Sequence, residues 1–116
     1  MPKTIRTTVG RAGPRPALED VVTVQYLLNC VPKERGGPLK ELRLDGIAGA
    51  ETLAAIARFQ EAAHTLVDGC VAPNGLTLTL LQRFDPLPSQ ALPFVVPRAQ
   101  YNPKELSVDK SVPWRR

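Results

Sequence analysis

LDGIAGAETLAAIARFQ, residues 44–60, is a turn that becomes a helix. Asp45-Gly46 is a turn signal: glycine accepts positive φ, and the aspartate side chain bonds to nearby backbone. From Ala50 the pattern changes to helical spacing. Ile56, Phe59 and Ala63 fall on one face with Thr52 a turn earlier, while Glu51, Arg58 and Glu61 fall elsewhere. The spacing predicts a helix from Ala50 to His64, roughly four turns long. The theme then recurs. Val67-Asp68-Gly69-Cys70-Val71 echoes Leu44-Asp45-Gly46-Ile47-Ala48 at a distance of 23 residues. Pro73-Asn74 leads into a third expected helix, Gly75 to Arg83, with Asn74 as its cap and Leu78 and Leu81 at helical spacing. Two apolar-Asp-Gly turns, each feeding a helix, form a short internal duplication. A solenoid needs three or more such units.

Upstream, Glu19 and Asp20 open another helix, acids in a first turn being favoured by the helix dipole. Val24, Leu27, Leu28 and Val31 continue it at helical spacing to about Asn29, and Pro32 stops it. Residues 32–43, PKERGGPLKELR, read as a polar loop. Residues 1–16 read as an extended leader broken by Gly10, Gly13, Pro14 and Pro16. Residues 84–116 hold six of the twelve prolines, a density that no helix survives. Within them Leu92-Pro93-Phe94-Val95-Val96 suits an edge strand or a groove. Tyr101 and Trp114 are isolated aromatics suited to docking a partner. The expected architecture is all-α: a three-helix bundle over residues 17–83, between a leader (1–16) and an irregular Pro-rich extension (84–116).

Composition narrows the functional classes. Aromatics are 5% of the chain, so the core must be built from Val, Leu, Ile and Ala. The net charge of +4 is unevenly spread: Lys3, Arg6, Arg11 and Arg15 fall in a leader without acids, while residues 17–83 carry more acids than bases. A nucleic-acid footprint would cluster cations and stacking aromatics on the folded face, and that pattern is missing. Cys30 and Cys70 fit no zinc spacing; the first reading is two buried thiols, with a single disulfide as the alternative. No segment approaches the length of a membrane span. The basic N-terminus lacks the apolar stretch of a secretory signal, which leaves a cytoplasmic location or non-classical delivery to the cell envelope as the expectation.

The spacings together resemble the peptidoglycan-binding domain family. Asp20-Val21-Val22-Thr23-Val24-Gln25-Tyr26-Leu27-Leu28-Asn29 is similar to its first helix, V-x-x-L-Q-x-x-L-N. Leu44-Asp45-Gly46-Ile47-Ala48-Gly49 resembles its D-G-x-x-G turn, and Thr52 to Gln60 its T-x-x-A-V-x-x-F-Q helix. Val67-Asp68-Gly69 and Thr77-Leu78-Thr79-Leu80-Leu81 resemble its closing V-D-G and T-x-x-x-L. The chain departs from the family in a longer loop at 32–43, in Ala50 where Pro is frequent, and in Ala72 where Gly is common. More loosely, Thr8-Val9-Gly10-Arg11-Ala12-Gly13 resembles leaders on such modules encoded near bacterial type VI secretion components.

The resemblance implies noncovalent binding to cell-wall peptidoglycan, without catalysis, metal or cofactor. The alternative is an adaptor of a secretion system that keeps the fold and docks a protein through its tail. Arg43, Gln60, Asp45 and His64 are the expected ligand contacts. A guanidinium at position 43 suits a stem-peptide carboxylate. The Gln60 amide suits sugar hydroxyls or peptide amides, and suits loop backbone equally. Phe59 reads as core, and His64 equally as an ordinary helix C-terminal residue. Asp45, Gly46, Gly49, Asp68 and Gly69 are the expected turn formers. A single histidine does not make a zinc site, and Asp45 and Asp68 lack a companion nucleophile or base for acid–base catalysis.

Overall fold

The computed structural model describes residues 3–10 and 15–87. Tyr101, Trp114 and the stretch 92–96 lie outside them. Three helices form: α1 (Leu18–Cys30), α2 (Ala50–Ala62) and α3 (Leu76–Gln82). Lys33–Arg35 make one 3-10 turn. The fold is mostly helical but not wholly so. Val9–Gly10 (β1) pairs antiparallel with Cys70–Val71 (β2), Val9 opposite Val71 and Gly10 opposite Cys70. The all-α expectation is corrected to that extent. The reason is local: the second Asp-Gly turn leaves Cys70–Val71 extended, and the leader lies alongside.

Helix α1 is central. Asp20 through Gln25 are all buried, as are Leu27 and Leu28. Apolar residues fall on most of its circumference, and its buried polar side chains Asp20, Thr23 and Gln25 are all hydrogen-bonded, so it can lie inside. Ile56 and Phe59 of α2 and Leu78 and Leu81 of α3 pack with Val21, Val24, Leu27 and Leu28 in one core. Each large apolar side chain buried there contributes about 1.5–3 kcal/mol of transfer free energy. No helix of the described residues is long and apolar enough to cross a membrane.

The leader is extended, and it is also part of the core. Ile5 and Val9 belong to the same cluster as the helices. Asp20 fixes the segment: its Oδ2 accepts from the backbone N–H of Arg6 (3.2 Å) and Thr7 (2.8 Å) and from the Thr7 hydroxyl (2.6 Å). The acid that opens α1 thus serves as an anchor for the preceding chain. Lys3, read from sequence as one of several basic leader charges, is buried (1% exposed). Its ammonium donates to Asp85 Oδ2 at 2.7 Å and to the Leu87 carbonyl, and lies 5.2 Å from the centre of the Tyr26 ring. Tyr26 donates to Asp85 Oδ1 at 3.2 Å. Burial, with neighbouring Cys30 and Asp85, pushes the Tyr26 phenol up, and burial likewise raises the Cys30 thiol.

Both cysteines are free and only partly buried. The disulfide alternative therefore falls away, and the buried thiols of the first reading are corrected to partly buried ones. Asn74 is not the side-chain cap expected for α3. Gly75 occupies the N-cap, and Asn74 stands just before it at φ 68°. Asparagine tolerates this left-handed conformation better than most residues.

Candidate functional site

Two turns of the same construction stand at the N-terminal ends of α2 and α3. At the first, Gln25 reaches out of α1. Its Nε2 donates to Asp45 Oδ1 (3.0 Å), the Ile47 carbonyl (3.1 Å) and Thr52 Oγ1 (3.0 Å), and its Oε1 accepts from Gly46 N–H (3.1 Å). Asp45 Oδ1 also accepts from Ile47 N–H at 2.9 Å. At the second, Gln60 reaches out of α2. Its Nε2 donates to Asp68 Oδ1 (2.9 Å), the Cys70 carbonyl (2.9 Å) and Thr77 Oγ1 (3.1 Å), and its Oε1 accepts from Gly69 N–H (3.0 Å). Asp68 Oδ1 accepts from Cys70 N–H at 3.0 Å. The duplication seen in the Asp-Gly pairs extends, atom for atom, to a glutamine and a threonine on flanking helices.

Both glycines are required by the backbone. Gly46 has φ 74° and Gly69 φ 73°, a region that side chains with a Cβ rarely adopt. At Gly46 a Cβ would also stand 1.8 Å from Leu18 Cδ1. Gly49 is different. It is the N-cap of α2 at φ −88°, with room for a side chain, and is not held to glycine by conformation. The Gln60 and Cys70 bonds hold the Asp68 carboxyl below the ordinary carboxylate range.

These contacts sort the expected ligand residues. Gln60 is 1% exposed and its amide is engaged on every side. Its expected role as a ligand contact is corrected: it holds backbone in place, the other use named for it. Arg43 and Asp45 stand together beside the first turn, lining one depression. His64 and Gln60 belong to the opposite end of α2, a helix of 13 residues, so about 20 Å separates the two ends. The four do not form one site. His64 is exposed and adopts φ 60°. Its N–H bonds to the Glu61 carbonyl (3.2 Å), and the Thr65 N–H to the Gln60 carbonyl (3.0 Å). This is a Schellman ending with histidine where glycine is usual.

A depression of about 360 Å³ opens between residues 38–43 and α2. Lys40, Glu41, Arg43, Glu51 and Arg58 contribute charge to it, and Leu39 and Ala54 contribute apolar surface. The long loop behind it is fastened twice. Asn29 at the end of α1 donates to the Leu42 carbonyl (2.9 Å) and accepts from Leu42 N–H (2.8 Å). Arg58 donates through Nε to the Gly37 carbonyl (2.8 Å) and through an Nη to that of Lys33 (3.3 Å). Reasoning from sequence put Gln25 and Asn29 in a motif but gave them no role, and gave Arg58 none either. The signal for the first two was present: amides on the predominantly apolar stretch of α1 that follows its acidic first turn. The second turn carries different residues at the matching positions. In the internal alignment Leu66 and Leu76 take the places of Arg43 and Glu51, and with Val67 they are exposed.

Comparison of the chain with models of known protein families, with curated proteins and with solved structures returns no match.

Proposed function

We propose that this chain is a non-catalytic module that binds bacterial cell-wall peptidoglycan through the groove beside its first Asp-Gly turn. One observation carries the reading. The polar positions on which the family resemblance rests (Gln25, Asn29, Asp45, Thr52, Gln60, Asp68 and Thr77) make the hydrogen bonds that hold the two turns and the loop. Residues at matching spacings by chance would have no reason to meet in this way. The groove supports the reading further, because it offers charged groups on a surface whose backbone is fixed in advance. Binding sites of this kind need little ordering on association. The test is co-sedimentation of the purified chain with sacculi at low salt. Recovery in the pellet is expected; its absence would sink the reading. Release of soluble muropeptides by the pure protein would overturn the non-catalytic part.

A second reading, a secretion-system adaptor on the same fold, is favoured by the exposed Leu66, Val67 and Leu76 at the second turn. Apolar residues grouped at a surface mark partner contacts more often than carbohydrate contacts. The tail residues Tyr101 and Trp114 belong to this proposal. Partner recovery that is unchanged by deletion of residues 98–116 would remove the tail from it.

A further inference from the structure

We infer that the groove between residues 38–43 and α2 recognises the peptide part of its wall ligand, as a short chain bearing free carboxylate and free amine, and not the glycan strand. This rests on the wall-binding reading above. Sugar rings are held in water largely by the faces of aromatic side chains, and the groove has none. Among the described residues, Phe59 is 2% exposed, and Tyr26 and Phe84 pack against the same core. What the groove presents is charge of both signs. Lys40 and Arg43 stand with Glu41 and Glu51, and none of the four is in an ion pair among the described residues. A glycan backbone of hydroxyls and acetamides offers these exposed charges no counter-charge. A stem peptide with a terminal carboxylate and the amine of a diamino acid satisfies both signs. The Arg43 guanidinium grips a carboxylate by two parallel bonds, and Glu51 accepts from an ammonium. Leu39 and Ala54 are of a size to receive alanine methyl groups. The fastening of Leu42 to Asn29 by two hydrogen bonds places Arg43, its neighbour, before any ligand arrives.

The experiment uses the full chain and three probes: intact sacculi, glycan strands stripped of peptide by an amidase, and a soluble stem tetrapeptide containing a diamino acid. Sacculi should be bound, stripped strands should not, and the tetrapeptide should compete with sacculi. Arg43→Ala should weaken tetrapeptide binding at least about tenfold, equivalent to about 1.4 kcal/mol. Glu51→Gln should weaken it too, with unchanged circular dichroism in both variants because neither side chain is buried and glutamine keeps the shape of the first-turn residue. Binding of stripped strands as strongly as sacculi, or unchanged affinity in both variants, would overturn this inference and leave wall binding standing. No binding to any preparation would overturn both.

Discussion

Replacing Gln60 by leucine keeps the volume and removes four hydrogen bonds at one stroke. The Gly69 N–H and the Thr77 hydroxyl would then be stranded, and each buried group without a partner costs about 1–3 kcal/mol. Gln60→Leu should therefore lose about 3 kcal/mol or more in urea unfolding, and Gln25→Leu a similar amount. Near wild-type stability with weakened sacculus binding would return Gln60 to the ligand surface. Asp68 gives the same network a pH signature. Its folded pKa lies below the unfolded value, so its contribution is complete above the ordinary carboxylate range, about 3.9. It is lost as pH falls below that, towards the folded value. Asp68→Asn should flatten this part of the acid limb in thermal melts, and a limb of unchanged slope would place the titration elsewhere. The aspartates and glycines of this network were legible in the sequence, because they are adjacent and repeat. Bonding of Gln60 to loop backbone was one of the two uses its amide suggested, but its equivalence to Gln25 was not legible. Gln25 lies 20 positions from its aspartate and Gln60 only 8 from its own, so the long first loop hides the equivalence from any fixed spacing.

At the scale of the element, all three helices begin without a side-chain cap. At α1 the N-cap is Ala17, exposed and already in the extended conformation that a capping serine adopts. Ala17→Ser should raise stability by roughly 0.5–1 kcal/mol, measured as a shift in the urea midpoint at constant m. The other end of α2 gives the complementary case. His64 holds a left-handed backbone at some expense, and His64→Gly should be neutral to stabilising by up to about 1 kcal/mol. A clear loss would mean that the imidazole makes contacts worth more than the strain. The helices themselves were legible to within two residues at nearly every end, since apolar spacing and the bounding Pro32 and Asp-Gly pairs are local signals. The ribbon of β1 and β2 was not, because two residues a side leave no periodicity to read.

At the scale of the whole molecule, the leader is tied to the segment that follows α3. Lys3 and Asp85 lie 82 positions apart and form an ion pair with both side chains almost wholly buried. Breaking a buried pair strands the remaining charge, at about 3–5 kcal/mol. Lys3→Met should be destabilised on that scale by chemical denaturation, and adding Asp85→Asn should recover a good part of the loss. If the double variant is as unstable as the single one, the lysine stem and not its charge is what matters. The same contact explains why the leader was hard to read. Four cations without an acid suggest a solvated flank, and only the fold brings an acid to one of them. With Gln82 Nε2 also donating to the Lys3 carbonyl at 2.7 Å, residues 3 and 87 stand side by side. The first residues of the leader and the segment after α3 therefore share one set of bonds, so peeling residues 3–10 from the helices also frees residues 85–87, and the two should lose protection from hydrogen exchange together.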